Sequence, residues 1–155
     1  MMKKIIIYFL AILVVACSKD DTSESTQTDL LIGIWMESGS GVVDIDDGTD
    51  EFFPYDDYCT LQSRFIFNRD GSFRVETFDG TENDCFSTGV TTGTWENQGE
   101  SYHFKIITDT SDTSDEGNGA NITIQFLDSD TMRWIFENDS EEVDHSFEEY
   151  VRVEE

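Results

Sequence analysis

Past residue 30 the chain alternates between apolar and polar positions with a period of two, and helical periodicity is hard to find. Leu61, Phe65 and Phe67 share one face, while Gln62, Arg64 and Ile66 share the other, as in a half-buried strand. The pattern resumes at Phe73, Val75 and Thr77 after Asn68-Arg69-Asp70-Gly71-Ser72. Those linking residues suit a type I turn with Gly71 in the left-handed conformation and a G1 bulge. Such a turn fixes a register that opposes Phe67 to Phe73, Phe65 to Val75 and Ser63 to Thr77. The apolar residues of both strands then lie on one face, so turn chemistry and pattern agree. The same register sets Cys59 opposite Thr81, four residues before Cys85.

Two more hairpins read the same way. Gly93-Thr94-Trp95 leads through a turn at 96–100 into Tyr102, Phe104 and Ile106, which point to one side. Ile122, Ile124 and Phe126 turn at Asp128-Ser129-Asp130 into Met132, Trp134 and Phe136. A first strand is predicted over 32–37 and a last one over 147–153. Three stretches, 39–58, 79–92 and 108–120, read as long and irregular. Eight strands in sequential hairpins with one apolar face must bury that face. In about 125 residues the solution is an all-β, eight-stranded antiparallel up-and-down barrel, which also removes the sheet edges. A two-sheet β-sandwich is the second solution.

The N-terminal residues follow another pattern. Lys3 and Lys4 precede an apolar run over 5–15, too short to span a bilayer and suited to the core of a secretory signal. Val14-Val15-Ala16-Cys17 resembles a bacterial lipobox, which implies cleavage after residue 16 and lipidation of Cys17. Ser18-Lys19-Asp20-Asp21 resembles the short export tag of some Gram-negative lipoproteins, which implies the outer face of the outer membrane, with the periplasmic face as the alternative. The expected organisation is a signal peptide over 1–16, a lipidated cysteine and acidic tether over 17–29, and a barrel over 30–155. Export to an oxidising compartment leaves Cys59 and Cys85 as an even pair, and a disulfide is the reading.

Composition narrows the picture. Twelve Phe, five Tyr and three Trp in 155 residues can fill a core, so full disorder is excluded despite a net charge of −25. Loss of Lys3 and Lys4 with the signal would take that charge to −27. Such a surface repels phosphate and excludes nucleic acid as a partner.

Gly33-Ile34-Trp35 is similar to the Gly-x-Trp signature of lipocalins. The run Phe65-Ile66-Phe67-Asn68-Arg69-Asp70-Gly71-Ser72-Phe73, followed by Gly93-Thr94-Trp95, resembles the lipocalin-like lipoproteins of Gram-negative bacteria. The resemblance implies a lipocalin-like barrel in which Trp35 closes one end under an arginine from near the last strand. Arg152 is the positional match, with Arg133 as the alternative. It implies a fold more than an activity.

Enzyme motifs are not found: there is no Gly-x-Ser-x-Gly, no His-Glu-x-x-His and no phosphate loop. His103 has the parity of an outward residue. Asp144-His145-Ser146 holds the residue types of a triad, but three consecutive residues cannot converge on one point. The inward aromatics Phe65, Phe67, Phe73, Trp95 and Tyr102, with Phe104, Phe126, Trp134 and Phe136, read either as core or as the wall of a cavity for a small apolar ligand. Two acidic stretches, 44–51 with five carboxylates and 109–116 with four, offer oxygen for Ca²⁺ through Asp44, Asp46, Asp50, Asp112 and Asp115. Neither fits an EF-hand, since Gly48 stands where the third acidic ligand belongs. Solvated loops are the other reading. The expected function is therefore binding: a membrane-anchored barrel holding a small apolar or amphipathic ligand, or a filled barrel whose acidic loops meet a protein partner, with Ca²⁺ as a bridge.

Overall fold

A computed structural model describes residues 28–138 and 142–154. The signal peptide, Cys17 and residues 18–27 of the tether lie outside the described residues. Among the described residues no helix is long and apolar enough to cross a membrane. The strands are β1 (Gly33–Asp44), β2 (Asp50–Pro54), β3 (Arg64–Phe67), β4 (Ser72–Thr81), β5 (Asp84–Asn97), β6 (Tyr102–Asp109), β7 (Gly119–Phe126), β8 (Thr131–Glu137) and β9 (Val143–Arg152). They form one antiparallel sheet in the order β2-β1-β3-β4-β5-β6-β7-β8-β9, and β1 pairs with β9. That pairing closes eight strands into a barrel and excludes the β-sandwich.

The ninth strand, β2, was not expected. One edge of β1 runs along β9. Its other edge is divided between β3, at Gly33 to Trp35, and β2, at Gly39 to Val43. The stretch 39–58 is therefore a hairpin from Gly39 to Pro54. Gly39 and Gly41 hide the strand signal because they carry no side chain, and packing explains them. A Cβ on Gly41 would collide with the Phe147 ring, and one on Gly39 would meet the Phe52 ring. The stretch 79–92 is also ordered, as β4 and β5 pair out to Thr81 opposite Asp84. This ribbon's two phenylalanines, Phe78 and Phe86, fall on opposite faces among mostly polar residues, so no alternation announces it. The third stretch, 108–120, is irregular only between the end of β6 at Asp109 and the start of β7 at Gly119, with a 3₁₀ turn at Thr113–Asp115.

The β3–β4 register matches the expected one at Phe67↔Phe73 and Phe65↔Val75. Gly71 has φ +79°, and Asn68 N donates to Ser72 O at 2.9 Å. The ladder stops at Arg64↔Glu76, so Ser63 does not pair with Thr77. Its hydroxyl instead accepts from Phe78 N at 3.1 Å, after a 3₁₀ turn over Thr60–Gln62. Cys59 is consequently off the strand, yet its sulfur lies 3.2 Å from Thr81 O. The Cys59–Cys85 disulfide is formed, with Cα atoms 5.4 Å apart.

The short turns after β3, β5 and β7 gather with Leu31, Trp35 and Arg152 at one end of the barrel. The longer connections and the β4–β5 ribbon lie at the other. The first end is plugged and the second is open, and this asymmetry positions the site.

Candidate functional site

Trp35 and Leu31 are fully buried at the plugged end. The Trp35 indole donates to Leu31 O at 2.8 Å. The Arg152 guanidinium lies 4.2 Å from the centre of the Trp35 ring, a cation–π contact. It also donates to Ile32 O, Leu30 O and Ser129 O, at 2.8, 2.8 and 2.9 Å. Arg152, not Arg133, therefore covers Trp35. Arg133 lies 3.9 Å over the Phe147 ring on the outer face, paired with Asp50 and Glu149. Asp29, assigned to the tether, is bonded to this end: it accepts from Leu31 N, Tyr102 Oη and Asn97 Nδ2 at 2.9, 2.8 and 2.7 Å.

Above the plug an apolar cavity of about 260 Å³ remains. Phe65, Phe67, Phe73, Phe104 and Trp134 line it, together with Val75, Ile106, Ile122, Ala120, Thr91 and Asp109. Three of the other four inward aromatics serve the plugged end: Trp95 packs on Tyr102 and Tyr102 on Phe126. A larger dent of about 340 Å³ lies outside that end, walled by Thr28, Asp29, Leu30 and Asn97 as well as Tyr102 and Phe126. Its polar groups already bond one another, so the 260 Å³ cavity is the better site. Phe136 lines a neighbouring pocket of about 270 Å³ with Ser40, Val42, Phe53, Ser146 and Glu148.

Polar groups enter the interior at three points. The first is Asp109, which is 7% exposed. It accepts from Thr91 Oγ1 at 2.9 Å, Ser111 N at 2.8 Å, Ser111 Oγ at 2.5 Å and Asp112 N at 3.1 Å. These bonds, the Ser111 hydroxyl first, hold its pKa down to about 2. A depressed carboxylate stabilises the fold above its unfolded pKa, and that advantage fades as pH falls through the folded value. Asp109→Asn is therefore expected to cost about 1 kcal/mol at neutral pH. The gap to the parent should close between the ordinary 3.8 and about 2. Urea titrations across that range read it, and a gap independent of pH would refute it.

The second point is a pair of carboxylates. Glu37 on β1 opposes Tyr150 on β9, two residues from Glu148 on the same face. The Tyr150 hydroxyl donates to Glu148 Oε2 at 2.8 Å. Burial raises the Glu37 pKa, the Glu148 charge raises it further, and a bond from Tyr55 opposes both. The third point is Trp134. Its Nε1 is buried and has no hydrogen-bond partner among the described residues, although its ring packs on Phe104, Tyr150 and Phe65. Sequence reasoning missed this polar set. Only strand closure brings Glu37 beside Glu148.

The acidic loop residues are not brought together. Asp44 accepts from the Asp46 and Asp47 amides, at 2.7 and 3.3 Å, and Asp50 pairs with Arg133. In the β6–β7 loop, Asp112 accepts from Ser114 N at 2.9 Å and Asp115 from Asn118 Nδ2 at 3.4 Å. Among the described residues no group of three or more His, Cys, Asp or Glu is arranged to hold a metal. His103 bonds Asn121 at 2.7 Å. His145 bonds Asp144 at 2.8 Å, while Ser146 faces the pocket on the other side of β9.

A family model for the lipocalin-like domain matches residues 31–147. No curated protein matches the chain. Among solved structures, a lipocalin-like protein from Bacteroides uniformis is similar at 14% identity and TM-score 0.51, covering 80% of this chain and 99% of that one. An uncharacterized protein from Bacteroides eggerthii is similar at 12% identity and TM-score 0.47, over 79% and 98%. With the family's match spanning β1 to β9 and the barrel closed as described, the chain belongs to the lipocalin-like domain family.

Proposed function

We propose that this protein is a cell-envelope lipoprotein, anchored through Cys17 in the outer membrane and displayed on its outer face, whose barrel takes up a small apolar or amphipathic ligand through its open end. The observation that carries the binding role is the cavity of about 260 Å³ between the plug and the mouth. Ligand cavities usually run from about 300 Å³ upward, so this one suits a small guest. Its lining is apolar apart from Thr91 and Asp109, which suits a guest with an apolar body and one polar end.

Native mass spectrometry of the full chain isolated from its own cells tests the reading. An adduct that survives gentle ionisation and disappears on denaturation is the expected result, and a bare chain counts against it. Val75→Phe pushes a ring into the cavity from β4. It should weaken ligand binding by about tenfold or more, equivalent to about 1.4 kcal/mol. Unfolding should change little, because the added volume falls in space already empty. Unchanged affinity would place the ligand elsewhere.

A second reading has one supporting observation. Ile45, Phe52 and Phe53 are exposed beside the acidic β1–β2 hairpin, a surface for a basic protein partner, with Ca²⁺ as a bridge. Intact-mass increments that vanish with a chelator would support the bridge.

A further inference from the structure

Resting on the cavity reading, we infer that the guest is a cationic amphiphile: its apolar body fills the aromatic cavity and its ammonium head meets Glu148 and Glu37 at the β1–β9 side of the mouth.

The charges that face the open half of the interior are all negative. Glu37 and Glu148 lie on adjacent strands, and Asp109 stands in the cavity wall. The cations lie elsewhere, Arg69 among them, exposed in the β3–β4 turn at the plugged end. Arg74 pairs with Glu76, Arg133 with Asp50 and Glu149, and Arg152 with Asp130 at the plugged end. Arg64 donates to Leu61 O and Ser63 O, and Lys105 is an exposed residue between the inward Phe104 and Ile106. Among the described residues no Lys or Arg pairs with Glu37 or Glu148. Two neighbouring carboxylates drawn out of water without a counter-cation are unfavourable. A cation arriving from outside removes that penalty, whereas an anionic head would add a third negative charge.

The apolar walls suit the same head. Trp134 opposes Glu148 in the β8–β9 register. Its ring, packed on Tyr150 at 5.1 Å and Phe65 at 6.0 Å, puts aromatic faces where an ammonium gains by cation–π attraction. Glu148 also lines the neighbouring pocket of about 270 Å³ with Ser40, Phe53 and Phe136, so its side chain borders open space that a head group can enter. Tyr150 meanwhile holds one oxygen of Glu148 and so orients the carboxylate.

Three probes with one tail decide the matter: n-octylamine, n-octanol and n-octanoate, each titrated calorimetrically into the full chain freed of bound small molecules. The amine should bind one per chain, about tenfold or more tighter than the alcohol, and octanoate should bind more weakly than the alcohol. Excess octanol should displace the amine. Glu148→Gln, and separately Glu37→Gln, should erase most of the amine's advantage and leave the alcohol unchanged. Asp46→Asn, in the exposed hairpin, should keep that advantage, which separates the site from the protein's overall charge. Equal binding of amine and alcohol, or octanoate binding as tightly as the amine, overturns the cationic head and leaves the cavity reading standing. If neither amine nor alcohol binds with a defined stoichiometry, both readings fall.

Discussion

Trp35→Ala is expected to destabilise the barrel by about 4 kcal/mol, the range seen when a buried large aromatic is truncated. Trp35 is fully buried, and three parts of the chain meet on it. Its N–H satisfies Leu31 O, its ring packs 6.3 Å from Phe126, and its face receives the Arg152 guanidinium. Arg152 in turn holds the carbonyls of Leu30, Ile32 and Ser129, so it joins the start of β1 to the β7–β8 turn. Removing the indole leaves a void, an unpaired carbonyl and a guanidinium without its ring. Trp35→Phe separates these effects. It keeps an aromatic face and loses the donor, so it should cost less, about 1–3 kcal/mol for the orphaned carbonyl and lost volume. Urea unfolding gives both values. Equal costs for the two substitutions would mean that the N–H bond alone matters, and a cost under about 1 kcal/mol for alanine would mean that Trp35 is no plug.

The plug was legible only through the family resemblance, which sets the Trp of Gly33-Ile34-Trp35 under an arginine from near the last strand and so pointed to Arg152. The β3–β4 register was legible because it rests on a turn and an alternation, both local. β2 and the β4–β5 ribbon were not. Gly39 and Gly41 owe their identity to Phe52 and Phe147 lying over them, a contact between distant segments, and a ribbon with Phe78 and Phe86 on opposite faces gives no period to read. The inner carboxylates were hidden for a third reason. Ile34, Trp35 and Met36 are apolar in succession, so parity alone does not place Glu37, and a bulge between Glu37 and Gly39 shifts the strand's register. Five of the nine aromatics read as inward line the cavity. Which five depends on distance from the plug, and alternation carries no information about depth.

Removing the disulfide by Cys59→Ser with Cys85→Ser is expected to cost about 3 kcal/mol, because the bond closes a 26-residue separation that an unfolded chain would otherwise explore. The loss should be local before it is global. β3 covers only Gly33 to Trp35 of β1, so residues 55–63 and the ribbon of β4 and β5 complete the wall at the open end. What binds them together is the disulfide, the Ser63 hydroxyl under Phe78 N and the 3₁₀ turn at Thr60–Gln62. β1 and β9, by contrast, pair from Trp35 to Asp44 and do not depend on it. Hydrogen exchange should therefore accelerate at residues 59–63 and 78–86, while amides of β8 and β9 keep their protection until global unfolding. The Cys59→Ser single variant should lose as much as the double, since either substitution opens the loop. Uniform acceleration across the barrel would mean that the disulfide supports the whole fold rather than the mouth. Unchanged exchange at 78–86 would mean that the ribbon's backbone ladder suffices. If the mouth loosens as expected, a guest bound as proposed should also leave faster from the double variant, because the wall that opens is at the open end and the plug at the far end is untouched.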